Sequence, residues 1–200
     1  MADLDAMQWA LEVGLSDINT AIPGTVVSFS PDPPRAVVRA AMPKRLASGE
    51  ELDAPNVHEV PVAYVAGGGF SHTFPLKAGD GVLLVFSQRS LEGWLSGRDA
   101  APDDPRRFAL SDAIAIPGLK ARGVAVDPSA AVTAWDGGSL RYEPGGIARL
   151  KVTTLHIEGD IELQGRMDAS GDVKAGTISL QQHRHGGVQT GAGITSTPVP

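Results

Sequence analysis

The 200-residue chain is 42% apolar, enough for one or two globular domains and well above the size at which disulfides or metals must replace a core. Lys+Arg 17 against Asp+Glu 23 leave a net charge of −6, the wrong sign for gripping a phosphate backbone. Neither side of residue 135 is basic, with 16 acids and 11 bases up to it and 7 acids and 6 bases after it. The absence of cysteine excludes disulfides, thiolate metal sites and thiol nucleophiles, and suits folding in a reducing cytoplasm.

The first five residues, Met1-Ala2-Asp3-Leu4-Asp5, are acidic where a signal peptide would be basic. Leu4, Met7, Leu11, Leu15 and Ile18 then recur at steps of three and four, which predicts an amphipathic helix or arm over residues 1–20. Asp3 is placed to cap it and Gly14 weakens its last turn. The expectation is a helix docked on the edge of the next domain; a partner-binding arm is the alternative.

Residues 21–122 read as short strands broken by turn residues. Gly24 to Phe29 and Ala36 to Ala40 form a hairpin around Ser30-Pro31-Asp32-Pro33-Pro34. Val57 to Val65 is a third strand, and Gly81 to Ser87 a fourth, approached through the tight turn Lys77-Ala78-Gly79-Asp80. Ser90 to Ser96 suits one or two helical turns, and Ser111 to Ile116 closes the set before Pro117-Gly118. About five strands with one helical insertion predict a Greek-key barrel of the OB type. The apolar run Val82-Leu83-Leu84-Val85-Phe86 is far short of the ~18 residues of a membrane span. OB barrels often bind single-stranded nucleic acid, but Pro43-Lys44-Arg45 and Arg106-Arg107 are isolated basic pairs with only Phe108 adjacent, so no nucleic-acid partner is expected. Gly67-Gly68-Gly69 precedes no helical pattern and reads as a flexible hairpin loop rather than a phosphate cradle. Asp80 and Asp112 sit at turns, where Asp bonds local backbone.

Composition changes near residue 135. Tyr142 alone among ten aromatic residues follows Trp135, while 12 of the 24 glycines do. Residues 123–146 are assigned as connecting strands and 147–182 as a fibrous segment. There Leu155, Ile157, Ile161, Leu163, Met167 and Val173 occupy odd positions, and charged residues such as Glu158, Asp160, Glu162 and Arg166 occupy even ones. Gly176-Thr177 shifts the parity, so Ile178 and Leu180 continue on even numbers. Glu158-Gly159-Asp160-Ile161 and Ser170-Gly171-Asp172-Val173 echo each other at a spacing of 12 residues. A single thin ribbon cannot bury such a stripe. Three copies wound about one axis can, and the small inward residues then fit the scarce space near the axis. An intertwined trimeric β-helix is therefore expected over an open single-chain solenoid.

Residues 183–200 hold the sharpest constellation, Gln181-Gln182-His183-Arg184-His185-Gly186-Gly187 leading into it. On an extended strand His183 and His185 share a face, roughly 6–7 Å apart, so both imidazoles can meet one metal. Two exposed polar residues near a terminus would give the same pattern. Three chains would assemble six imidazole nitrogens, an octahedral set suited to a first-row metal such as iron. That full set leaves no open position for substrate. A cupin-like metalloenzyme would need a carboxylate three to five residues after His185, where Val188-Gln189-Thr190 stands. No enzyme activity is expected. His58, His72 and His156 read as surface or hydrogen-bonded residues.

The segments Pro75 to Phe86, Leu91-Glu92-Gly93-Trp94, Leu110-Ser111-Asp112-Ala113, and Ile178-Ser179-Leu180 running into His183-Arg184-His185-Gly186-Gly187-Val188 together carry a resemblance. From about residue 14 to the end, the chain resembles the central baseplate spike, or membrane-piercing protein, of contractile-tailed phages and R-type pyocins. The resemblance implies an all-β homotrimer in the virion tail baseplate, with OB domains bound to a tail hub protein and a needle that meets the host outer membrane. It also implies one iron ion per trimer, or another first-row metal, held at the apex by residues matching His183 and His185. Some members carry calcium and chloride inside the needle, but no residues here match those sites. Gln181-Gln182 must turn the chain for the histidines to face inward, and Gln189 to Pro200 is expected to fold back along the flank. A non-piercing carbohydrate-binding tail or cell-surface module is the alternative reading.

Overall fold

The protein is described by a computed structural model over residues 2–16, 18–46, 48–184 and 191, and it divides into two units, Met1–Pro128 and Ser129–Pro200. The first unit contains helix α1 (Ala2–Ser16), the hairpin β1 (Ala21–Pro31) and β2 (Pro34–Ala40), and a minor pair β3 (Lys44–Arg45) and β4 (Glu51–Leu52). These are followed by β5 (Asn56–Pro61), a second hairpin β6 (Val65–Gly67) and β7 (Phe70–His72), β8 (Gly81–Phe86), the short helix α2 (Glu92–Leu95) and β9 (Ala113–Pro117). The main sheet has the order β5-β2-β1-β8-β9, antiparallel at every pairing. A parallel bridge between Val62 and Ala115 joins its two edges, and the Ala63 N–H donates to the Ala115 carbonyl at 2.9 Å. That order and closure are those of the five-stranded Greek-key barrel expected from the sequence.

Two irregularities curl the sheet. The register of β1 on β2 shifts between Val26 and Ser28; that of β2 on β5 shifts between Ala36 and Val38, opposite Glu59, whose φ is 54°. Each inserts an unpaired residue into one strand, and such bulges bend a strand and increase its twist. Alternating residues then point inward. Val82, Leu84 and Phe86 of β8 meet Val26, Ala36, Val38, Val57, Val60, Ala113 and Ala115 in one core. Small residues permit the closest approaches, and a Cβ added at Gly24 would lie 2.5 Å from Val38 Cγ1.

Several local expectations change. Helix α1 begins at Ala2, so Asp3 lies within it rather than capping it. The helix is undocked: Leu4, Met7, Leu11 and Leu15 are all exposed, and so are Trp9 and Val13, which the three-and-four spacing left out. The third strand stops at Pro61 rather than Val65: the Val62 N–H still donates to the Pro34 carbonyl at 3.2 Å, but Val62 also bridges across to β9. The predicted strand from Ser111 instead opens with a 3-10 turn, Leu110–Asp112. Gly68 and Gly69 form the turn of the β6–β7 hairpin with φ of 58° and 83°, which places His72 on a strand.

The second unit has an antiparallel meander of β10 (Ala131–Trp135), β11 (Gly138–Glu143) and β12 (Ile147–Lys151). Asp136 and Gly137 turn its first hairpin with positive φ, as two-residue hairpin loops require. Arg149 and Arg141 both reach the Glu143 carboxylate, at 2.9 and 3.4 Å. The hydrogen bond from Arg149 is the main cause of its pKa lying below the ordinary range. Beyond β12 the chain runs without strand pairing to the small hairpin β13 (Lys174–Ala175) and β14 (Ile178–Ser179). From Ser129 to Arg184 every residue is exposed or half-buried, including Leu155, Ile157, Ile161, Leu163 and Met167.

Candidate functional site

The chemistry singled out by the sequence lies just after β14. Gly176, at φ 61°, turns β13 into β14, and the Leu180 N–H closes the hairpin on the Val173 carbonyl at 2.8 Å. The strand then gives way to a turn at Leu180-Gln181-Gln182, the break that Gln181-Gln182 were expected to supply. Two side chains hold it. Asp172 Oδ1 accepts from the Gln181 N–H at 3.2 Å, and Ser179 Oγ accepts from the Gln182 N–H at 2.9 Å. Their role was hidden in the sequence, although Asp172 sits in the repeated Gly-Asp unit.

His183 follows directly. Its N–H donates to the Ser179 carbonyl at 3.1 Å, and ring Nδ1 lies 2.9 Å from that same oxygen and 3.1 Å from the Leu180 carbonyl. A carbonyl can only accept, so these contacts select the tautomer protonated on Nδ1, leaving the lone pair on Nε2. Backbone contacts of this kind orient a metal-ligating imidazole. His185 and the expected path of residues 189–200 lie outside the described residues apart from Gly191. Arg184, between the two histidines, is exposed.

Two aspartates that the sequence placed at turns make structural bonds. Asp80 behaves as its turn position predicts, with Oδ2 accepting from the Lys77 N–H at 2.8 Å. Asp112 does something else. It is buried, and its carboxylate takes Arg106 Nε at 2.7 Å and Nη2 at 3.2 Å, together with the Leu91 N–H at 2.9 Å. Hydrogen bonds to Asp112 and Asp104 push the Arg106 pKa above its ordinary value. Asp104 is lowered, chiefly by the Arg106 backbone N–H and then by its side chain. Arg106, read from sequence as part of an isolated basic pair, is thus committed to an internal ion pair that ties the α2 loop to the barrel. His58 and His156 are exposed, and His72 lies edge-on to Phe74 at 6.2 Å.

Comparison with known families places both units. Residues 22–118 match the family described as phage protein Gp138 N-terminal domain, and residues 178–199 match the GpV Apex motif. The first match spans the barrel strands and the second begins at β14 and contains both histidines. No curated protein matches the chain. Both matches, in this order along the chain, are features of phage baseplate spikes, and they support a phage tail spike protein, a component of the virion tail.

Proposed function

We propose that three copies of the chain form the central spike of a contractile tail baseplate, with the barrels bound to a tail hub protein and the second units wound into a needle driven through the host outer membrane. The observation that carries this reading is the exposure of the apolar stripe: Leu155, Ile157, Ile161, Leu163 and Met167 are each more than half exposed. Two further copies supply both a partner for the unpaired backbone and a cover for the stripe.

At the tip, His183 and His185 of each chain would hold one metal ion, iron or another first-row metal, through six imidazoles. The ion supplies a structural cross-link; the reading assigns the chain no catalysis. Such sites contribute on the order of 10 kcal/mol, against the small-residue contacts available at a narrow end where three chains most readily splay.

Sedimentation velocity, native mass measurement and elemental analysis test this together. The expected result is an elongated species of three 20.8 kDa chains with one metal ion, lost in the His183→Ala, His185→Ala double variant while the trimer persists. A compact monomer would overturn the needle, and unchanged metal content in the double variant would overturn the apex assignment.

A further inference from the structure

We propose that Asp172 and Ser179 are positioning residues of the apex: together they fix the turn that presents His183 to the metal as an Nε2 donor. The proposal deepens the apex reading above and rests on it.

The turn is built from three consecutive backbone donors. Asp172 Oδ1 takes the Gln181 N–H at 3.2 Å, Ser179 Oγ takes the Gln182 N–H at 2.9 Å, and the Ser179 carbonyl takes the His183 N–H at 3.1 Å. The bonds from Gln182 and His183 span three and four residues, as at the first turn of a helix, where a serine hydroxyl at the cap accepts from a backbone N–H of that turn. Among the described residues no helix continues from it, so no ladder of bonds supports this turn. Burial does not replace one: Leu180, Gln181, Gln182 and His183 are exposed, and Ser179 is half-buried. Asp172 links the turn to the rest of the hairpin, since it lies before β13 and nine residues from the donor it satisfies.

One carbonyl serves both the turn and the ring. The Ser179 oxygen that closes on the His183 N–H also lies 2.9 Å from His183 Nδ1, with the Leu180 carbonyl at 3.1 Å. An imidazole protonated on Nδ1 binds a metal only through Nε2. When the turn relaxes, both acceptors move relative to the ring, and the tautomer and ring orientation are no longer selected. Partners that orient a ligating histidine are typically worth about 10–100-fold in metal affinity. The internal echo supplies a control. Asp160 stands in Glu158-Gly159-Asp160-Ile161 where Asp172 stands in Ser170-Gly171-Asp172-Val173, yet it is exposed and its carboxylate makes no bond among the described residues.

The test uses the full chain with cobalt(II) as the probe ion. Single variants Asp172→Ala and Ser179→Ala remove the accepting oxygens, Asp172→Asn and Ser179→Thr keep them, and Asp160→Ala removes the same charge as Asp172→Ala without touching the turn. Sedimentation velocity establishes the oligomeric state of each, the visible spectrum of the cobalt reports its ligands, and transfer of the ion to excess chelator gives its release rate. The expected result is release at least about tenfold faster in both Asp172→Ala and Ser179→Ala, with an altered cobalt spectrum and an intact trimer. Asp172→Asn, Ser179→Thr and Asp160→Ala should release the ion at the wild-type rate. Unchanged release in the two turn-breaking alanine variants would overturn the positioning role and leave the apex reading standing. Faster release in Asp172→Asn or Asp160→Ala would trace the effect to charge and would also overturn it, as would loss of the trimer in Asp172→Ala or Ser179→Ala, which would make the pair a folding determinant. Cobalt held equally well by the His183→Ala, His185→Ala double variant would overturn the apex reading and this proposal with it.

Discussion

Asp112 shows what a single side chain contributes to the first unit. Its carboxylate is nearly inaccessible (1% exposed) and satisfies Arg106 through two nitrogens and Leu91 through its N–H. Removing one partner of a buried pair strands the other, a loss of about 3 kcal/mol at the lower end of the usual range, which is appropriate because Arg106 remains 30% exposed. We expect Asp112→Ala to destabilise the barrel by about that amount in chemical denaturation of the full chain. Adding Arg106→Met should recover part of the loss, because it removes the Nε and Nη2 donors left without Asp112, although Nη1 still reaches Asp104 at 2.6 Å. A loss within the range of an exposed salt bridge, under about 1 kcal/mol, would show that the pair does not brace the loop. The sequence could not reveal this contact. Asp80 was legible because its partner, Lys77, is three residues away within one turn. The partners of Asp112 meet it only after the loop carrying α2 has closed over the barrel. The spacing of His183 and His185 was legible in the sequence, but the carbonyls that orient His183 depend on a turn fixed by Asp172 and Ser179.

Among the elements, two glycines, one opening a strand and one inside a helix, have opposite requirements. At Gly81, the first residue of β8, an added Cβ would sit 1.8 Å from the Leu119 carbonyl oxygen and 2.9 Å from its carbon. Both are backbone atoms and neither can rotate away. At Gly14 in α1 nothing lies within 4 Å. We therefore expect Gly81→Ala to cost about 3 kcal/mol through displacement of the chain beside β8, and Gly14→Ala to raise the helicity of α1 by about 1 kcal/mol of propensity. Thermal unfolding and far-ultraviolet circular dichroism of the two variants check both signs; equal effects would refute the close approach at Gly81. The sequence marked Gly81 only as the first residue of a strand, since its constraint comes from a segment 38 positions later. Strand β8 was readable because Val82 to Phe86 is a continuous apolar run entered through a turn, a purely local signal. The end of β5 was not, because a residue with positive φ at Glu59 and the bridge from Val62 to Ala115 redirect a chain that still looks strand-like in sequence. Helix α1 was found by its period, but its docking was inferred from a rule about single chains. That rule does not apply to a helix whose exposed residues, Leu4, Trp9 and Val13 among them, occupy more than one face.

For the whole molecule, the aromatic-poor, glycine-rich stretch after residue 135 marks where a single chain stops burying its apolar residues. In the proposed trimer, stability there comes from the other chains along the length and from the metal at the tip. The two contributions are separable because Arg184 lies between the histidines and offers trypsin a bond within the apex. Arg166 offers an internal control, with a side chain 84% exposed in the isolated chain. If His183 and His185 tie the three ends through an ion, cleavage after Arg184 requires that tie to open first. Stripping the metal with a chelator should then accelerate cleavage at Arg184 by more than about tenfold, given a tie on the order of 10 kcal/mol, while cleavage at Arg166, set by winding of the three chains, should change little. Acceleration at both sites would mean that the metal holds the whole needle together. An unchanged rate at Arg184 would place any bound metal elsewhere and leave the tip closed by the chain's own contacts.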